Sequence, residues 1–291
     1  MAILSSPLQY LAAVPPVTRA WTAATVVSTL FYFWVAWKTH NDYAPYITLV
    51  PGSSIFYPWT FLSSALVETS IIELVITLIV IPASLRYLER LWGTIETIKF
   101  MVVSIVVSNI IAFAFNWIEF AATRNADLFL YGMQYHGQMS LLTAVLVAFT
   151  QVIPEHQVQI MGVIKTRVKQ LPMAYLTFST VMTIIGFQCP YIVIQFAWLV
   201  SWVWLRFYKK NTGDVVGGGD SYGDRSETFA LIYWFPPFVH KPISVLANTT
   251  YALATKLHLI PVSGSDVESG GYSQVPGSAR AEAERRRYAQ S

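Results

Sequence analysis

Cysteine and charged residues are both scarce in this chain of 291 residues. The single cysteine, Cys189, excludes an internal disulfide and a metal site built from several thiolates. Charged residues make up 12% of the sequence, against about 25% in soluble domains, and a net charge of +3 is too small to indicate a nucleic-acid partner. The sequence also lacks the GxGxxG, P-loop, HExxH and GxSxG patterns. We therefore predict no cofactor and no metal site.

Apolar and aromatic residues are correspondingly abundant. Hydrophobic residues make up 54% of the chain, and the mean hydropathy is +0.48. Tryptophan, tyrosine and phenylalanine are abundant, as is usual where rings anchor helices at membrane interfaces. A helix needs about 20 mostly apolar residues to cross the hydrocarbon layer. The sequence predicts an all-α membrane protein, a bundle of six transmembrane helices at 17–37, 59–85, 95–118, 133–153, 171–187 and 191–208.

The basic residues of the short loops predict the orientation of this bundle. Only Lys38 and Arg124 fall on one side of the predicted spans. The other side holds Arg19, Arg86, Arg90, Lys99, Lys165, Arg167, Lys169, Arg206, Lys209 and Lys210. Because loops rich in Lys and Arg stay in the cytosol, both termini are predicted to be cytosolic and the loop from Lys38 to Pro58 lumenal.

The chain divides by composition into five parts. We predict a cytosolic N-terminus at 1–16, the membrane domain at 17–208, a Gly- and Asp-rich flexible linker at 209–225, a cytosolic membrane-associated helical segment at 226–261 and a mostly disordered tail at 262–291. Within the fourth part, apolar residues recur at helical spacing and predict an amphipathic helix. That helix either lies on the membrane or docks on the bundle. The candidate membrane or partner contacts are Phe235, Pro236, Ile243, Leu246, Leu253 and Leu257.

Three ionisable residues fall within the predicted spans, where charge is costly. Glu68 and Glu73 lie in the second span, and His136 lies at the start of the fourth. The two glutamates are five residues apart, which places them on different faces of a continuous helix. Either glutamate is expected to meet His136 across a helix interface. The cluster is then either a buried polar contact that fixes helix register or a ligand or proton site. A transporter that uses these three residues is a further hypothesis, although the chain shows no inverted repeat.

Two stretches resemble the rhomboid superfamily: FYPWT at 56–60, which contains Trp59, and YLERLWG at 87–93. The second contains Leu88, Glu89, Trp92 and Gly93. Rhomboids carry a Trp-Arg pair before helix two and a Leu-Glu-x-x-x-Gly turn after it; here Thr60 replaces the arginine. The chain is more specifically similar to the Golgi rhomboid-like family of transmembrane protein 115. That resemblance rests on LERLWG at 88–93, HG at 136–137, SWVWLRFY at 201–208, FP at 235–236 and AERRR at 283–287.

The resemblance implies a degenerate active site. Rhomboid proteases place a serine in Gly-x-Ser-Gly at the start of helix four and a histidine in helix six. The matching stretch here is GQMS at 137–140, with Met139 at the nucleophile position, and helix six has Gln195 but no histidine. His136 and Ser140 share a helix face, but this spacing alone is weak evidence for catalysis. The degenerate positions are Gly137, Gln138, Met139, Ser140, Gln195 and, in place of the oxyanion residues, Glu73 and Thr77.

Ala197, Trp198 and Ser201 stand where rhomboids favour small residues between helices four and six. We expect the bulky Trp198 side chain to fill the former catalytic cavity.

The resemblance implies a pseudoenzyme that keeps the six-helix scaffold. The family resemblance implies a scaffold of the Golgi membrane that supports Golgi organisation and retrograde transport to the endoplasmic reticulum. Its expected partners are the lipid bilayer, the conserved oligomeric Golgi tethering complex and a second copy of the chain. The alternative is a derlin-like membrane chaperone or quality-control factor that binds client transmembrane helices.

Overall fold

The computed structural model describes residues 14–160, 164–211, 221–224, 226–235 and 237–257. These residues are mostly helical. The α-helices are α1 Pro16–Thr39, α2 Thr60–Ser63, α3 Ile71–Trp92, α4 Thr94–Thr123, α5 Met139–Val152, α6 Leu171–Ile185, α7 Ile192–Val203 and α8 His240–Lys256. Two antiparallel hairpins pair β1 Gln157–Ile160 with β2 Ile164–Arg167, and β3 Lys210–Asn211 with β4 Ser221–Tyr222. Most of the predicted N-terminal segment, the tail at 262–291 and Pro236 lie outside the described residues.

Within the described part of the chain, three helices are long and apolar enough to cross a membrane: α1, α3 and α4. Two more, α5 and α7 with its π-helical extension Trp204–Tyr208, are apolar but shorter. The 14 residues of α5 measure about 21 Å at 1.5 Å per residue, less than the hydrocarbon thickness of about 30 Å. The membrane class and three spans are therefore supported, and the full set of six spans stays a prediction.

The second predicted span is not one continuous helix. α2 and the 3-10 turn Ser64–Leu66 end at an extended Val67, and α3 begins only at Ile71, after Ser70 accepts a hydrogen bond from Ile72 N. The break is held from outside, because Gly137 N lies 3.0 Å from Ser64 O and 2.8 Å from Val67 O. The Val67 carbonyl is thereby bonded across the bundle and not to a later N–H of its own segment. The prediction of a helix from 59 to 85 was wrong about its start.

The core lies where α4, α5 and α7 pack together. Small and polar residues allow close approach: Ser104 and Ser201 are fully buried, and the Ser201 hydroxyl donates to Ser104 Oγ at 3.1 Å. Such small-residue contacts are typical of helices that associate in a membrane. α1 and α3 flank this core, and each exposes an apolar outer face that includes Val27, Leu30, Ile76 and Ile79.

The predicted linker at 209–225 is folded at both of its described ends. β3 pairs with β4, Asp224 N donates to Leu205 O at 3.0 Å, and the Asp224 carboxylate accepts from Gln151 Nε2 at 3.0 Å. Arg206 Nη1 also donates to Asp224 O. These contacts return the chain to the end of α7, which a Gly-rich composition alone did not predict.

Candidate functional site

The site lies where the loop before α5 meets the start of α3. Leu49 and Tyr135 exchange backbone hydrogen bonds of 3.0 and 2.8 Å, which fasten the loop at 40–58 to the segment that precedes α5. Trp59 lies at the edge of this loop, exposed, with its indole N–H donating to Tyr46 O at 2.9 Å. Trp59 therefore orders the loop rather than lining the interior.

Glu68 lies among Gly137, Gln138 and Thr77, three of the positions that the rhomboid resemblance singles out. Its carboxylate is almost completely buried, and Oε1 accepts hydrogen bonds from Gln138 N at 3.1 Å and from the Thr77 hydroxyl at 2.8 Å. Gln138 precedes the first residue of α5, so the carboxylate lies at a helix N-terminus, where the helix dipole stabilises negative charge. A Cβ on Gly137 would lie 2.7 Å from Glu68 Oε2, so a larger residue would collide with the carboxylate. Gly137 also has φ +81°, a backbone conformation that favours glycine.

The other degenerate positions are connected to the scaffold. The Gln138 side chain donates to Thr25 Oγ1 at 2.6 Å and accepts from Trp21 Nε1 at 3.2 Å, which links α5 to α1. Ser140 is buried one residue beyond the half-buried Met139. Gln195 points the other way, with Nε2 3.5 Å from Thr180 Oγ1 on α6. Among the described residues, no hydrogen bond joins Ser140 to a histidine.

The structure brings Glu68, Glu73 and His136 together. One ligand atom from each lies within 4.8 Å of the other two. The argument that the two glutamates lie on different helix faces was wrong, because Glu68 precedes α3 and only Glu73 belongs to it. The Thr69 hydroxyl stands between them, 3.5 Å from Glu73 Oε2 and 3.4 Å from each ring nitrogen of His136.

A cleft of about 330 Å³ reaches this cluster from the side of the 40–58 loop. Its lining residues are Tyr32, Phe33, Asp42, Thr69, Gln134 and His136. Two of them are held in place by the Asp42 carbonyl, which accepts from Tyr32 Oη at 2.9 Å and from Gln134 Nε2 at 3.2 Å. The cleft is therefore bounded by fixed polar groups.

The turn motif at 87–93 holds the opposite end of α3 in place. Glu89 is buried and accepts four hydrogen bonds: from Val17 N (3.0 Å), Thr18 N (2.9 Å), the Thr18 hydroxyl (2.8 Å) and the Thr94 hydroxyl (3.2 Å). It thereby satisfies the orphan N–H groups at the start of α1. Leu88 is fully buried in the core, Trp92 packs edge-on against Phe100, and Gly93 turns the chain with φ +82°. The sequence marked Glu89 only as a motif residue, because three of its four hydrogen bonds come from residues about 70 positions away.

Trp198 packs against the C-terminal segment. Its ring centroid lies 5.7 Å from that of Trp234 and 6.0 Å from that of Phe235, and the neighbouring Trp202 Nε1 donates to Phe229 O at 3.0 Å. These described ring contacts point to residues 226–235, not to Gly137–Ser140. The expectation that Trp198 fills the former catalytic cavity finds no support in them.

The predicted partner contacts fall into a half-buried group and an exposed group. Phe235 and Ile243 are half-buried, whereas the side chains of Leu246, Leu253 and Leu257 are 66%, 57% and 59% exposed. α8 uses another side of its surface, including Tyr251, which stacks on Phe207 at 6.1 Å, to contact the bundle. α8 thus contacts the segment at 231–234 and Phe207, and it leaves an apolar stripe exposed.

Comparisons with known proteins place the chain in a family of membrane proteins. A family model described as "Eukaryotic integral membrane protein (DUF1751)" matches residues 19–290. The chain is 30% identical to transmembrane protein 115 of Homo sapiens over 239 residues, 80% of this chain and 65% of that protein. It is 25% identical to rhomboid-like protein 19 of Arabidopsis thaliana over 84% of this chain and 77% of that protein. It is 24% identical to the transmembrane protein 115 homologue of Saccharomyces cerevisiae, covering 88% and 84%. The chain thus spans less than two thirds of the human relative.

Proposed function

Because the chain belongs to the family of eukaryotic integral membrane proteins described as DUF1751, we propose that it is a catalytically inactive, rhomboid-like scaffold of the Golgi membrane. Relatives named transmembrane protein 115 and rhomboid-like protein 19 support the rhomboid-like part of this proposal. In the proposed role the protein supports Golgi organisation and retrograde transport to the endoplasmic reticulum. Its cytosolic C-terminal region recruits the tethering machinery.

The position of the Glu68 carboxylate carries the inactive part of the proposal. A serine protease needs hydrogen-bond donors directed at the oxyanion of its transition state. Here the backbone N–H of Gln138 already donates to a buried carboxylate, beside the Met139 that takes the nucleophile position. A second negative charge at this point would be repelled by the first. The arrangement supports a scaffold in which the former catalytic centre has become a structural contact.

The apolar stripe of α8, formed by Leu246, Leu253 and Leu257, is the surface that we assign to the tethering complex. These residues recur at helical spacing and are exposed, while Tyr251 on another side of the same helix stacks on Phe207. An amphipathic helix that lays its apolar side in a groove is a common mode of recognition. The bilayer and a second copy of the chain are the other partners expected for this protein.

Proximity labelling in cells tests this assignment, with the labelling enzyme fused after Ser291. The test variant carries Leu246→Glu, Leu253→Glu and Leu257→Glu. Its matched control carries three glutamates on an exposed part of the same helix that is not in the stripe, at Asn248, Ala252 and Thr255. We expect subunits of the tethering complex to be enriched with the natural chain and the control, and to be lost at least tenfold with the test variant.

Equal labelling by both variants would refute the assignment of α8. Labelling dominated by degradation factors of the endoplasmic reticulum, with no tethering subunits, would instead support the derlin-like function, in which client helices bind to the membrane domain. A protease assay on the purified chain in bilayers completes the test. Cleavage of transmembrane substrates that disappears in Ser140→Ala would overturn the inactive scaffold.

A further inference from the structure

We propose that Glu68, Glu73 and His136 bind a single zinc ion at the inner end of the 330 Å³ cleft. The proposal is independent of the scaffold function, and it concerns a site for which the sequence predicted no metal. It follows from the break between α2 and α3, which places Glu68, inside the break, and Glu73, in the first turn of α3, next to a histidine from the loop before α5.

The first argument is the geometry of the three side chains. Their ligand atoms lie within 4.8 Å of one another. In a tetrahedral zinc site with bonds of about 2.0–2.2 Å, neighbouring ligand atoms are about 3.3 Å apart. Rotation of the Glu73 and His136 side chains is enough to close the difference. Their contacts with Thr69 are long, at 3.4–3.5 Å, so little is lost when these side chains turn toward an ion.

The second argument is charge. Two carboxylates stand together here, and among the described residues neither Lys nor Arg forms an ion pair with them. Buried carboxylates are stable only when they are paired, protonated or bound to a metal. A divalent cation balances two carboxylates and a neutral imidazole. A mixed set of imidazole nitrogen and carboxylate oxygen suits zinc better than magnesium or calcium, which prefer oxygen alone.

The third argument is support and access. Gln138 N and the Thr77 hydroxyl fix Glu68 Oε1, which is the kind of outer contact that orients metal ligands. His136 also lines the cleft, so an ion has an entry path and a water has room to occupy the fourth position. The Thr69 hydroxyl lies at the same place and is a hydrogen-bond partner for that water.

Zinc binding by the full chain in lipid nanodiscs tests the proposal. The protein is stripped with EDTA, exposed to Zn²⁺ alone and washed, and bound zinc is counted by mass spectrometry; competition with a chromophoric chelator gives the affinity. We expect one zinc per chain. His136→Asn and Glu73→Gln should each weaken binding at least tenfold. The matched controls are His156→Asn and Glu155→Gln, a neighbouring His and Glu in the loop after α5, and they should leave the affinity unchanged.

Thermal unfolding separates ligand loss from misfolding. Without zinc, both test variants should unfold at the same temperature as the natural chain. With zinc, only the natural chain and the controls should shift upward. X-ray absorption should show nitrogen and oxygen ligands and no sulfur. The proposal fails if the natural chain retains less than one zinc per ten chains, or if His136→Asn and Glu73→Gln bind zinc as tightly as the controls do.

Discussion

Glu68 and Glu89 lie near the two ends of α3, and both are buried. Each carboxylate accepts a backbone hydrogen bond at the start of another helix, Glu68 at α5 and Glu89 at α1. Glu89 receives four hydrogen bonds, two on each oxygen. Glu68 receives two, both on Oε1, and its other oxygen lies beside Gly137. Glu89 is fully used by the fold, whereas Glu68 has hydrogen bonds on one oxygen only and lies close to Glu73 and His136.

The difference shows how burial alone fails to distinguish a structural carboxylate from a binding one. Both glutamates are less than 5% exposed. What differs is the distribution of donors between the two oxygens. A carboxylate with donors on both oxygens tolerates no replacement by an amide, whereas one with donors on a single oxygen does.

Glu89→Gln should have the largest effect on stability. Whichever way the amide turns, its NH₂ group faces the donors that one carboxylate oxygen now satisfies. Leaving such buried donors unpaired costs about 3 kcal/mol in the free energy of unfolding. Titration with SDS in mixed micelles, followed by tryptophan fluorescence, measures it. Glu96→Gln, which loses the ion pair with the exposed Lys99, is the control and should lose under about 1 kcal/mol. A loss below 1 kcal/mol for Glu89→Gln would contradict the comparison.

Gly137→Ala should come second, with Gly93→Ala as its matched control. Both glycines have φ near +80°, so an alanine costs about 1–3 kcal/mol at either position. At Gly93 nothing lies within 4 Å of the added Cβ, but at Gly137 the Glu68 carboxylate must move. We expect Gly137→Ala to lose about 1 kcal/mol more than Gly93→Ala in the same titration, as the hydrogen bond from Gln138 breaks. Equal losses would mean that the carboxylate moves away freely.

Glu68→Gln should cost less than about 1 kcal/mol, because a single amide oxygen accepts the bonds from both Gln138 N and Thr77. The same substitution should weaken zinc binding at least tenfold, because it removes a charged ligand. Unfolding and zinc titrations on one preparation measure both. A large loss of stability would show that Glu68 is as structural as Glu89.

Replacing the exposed Glu155 should have the smallest effect on stability. The hydrogen bond from Lys169 Nζ lowers the pKa of Glu155 below its usual value. Glu155 therefore adds stability above its unfolded pKa of about 4.3, and this contribution disappears as the pH falls through the lower folded pKa. The difference in Tm between the natural chain and Glu155→Gln should be small at pH 6, shrink as the pH falls below about 4.3 and vanish below the folded pKa. A difference that grows on acidification would contradict this sign.

The sequence predicted the membrane class well because apolar runs report directly on the solvent around a helix. It also singled out Glu68, Glu73 and His136, since charge inside an apolar run needs a reason. It misplaced the start of the second helix because Gly137 N, about 70 residues away, takes the carbonyls of Ser64 and Val67. The fold of residues 226–235 was missed for a similar reason, as the burial of Phe229 and Trp234 depends on the distant Trp202 and Trp198.

The sequence by itself determined that this chain belongs in a membrane and approximately where α1 and α4 lie. Hydropathy, helix length and residue identity are local properties, so they can be read from a string. Only the tertiary structure decided which oxygen of Glu68 is engaged, that Glu73 lies beside it, and which side of α8 stays open. Those outcomes depend on hydrogen bonds and packing between distant segments, whose free energies are fixed only when the segments meet.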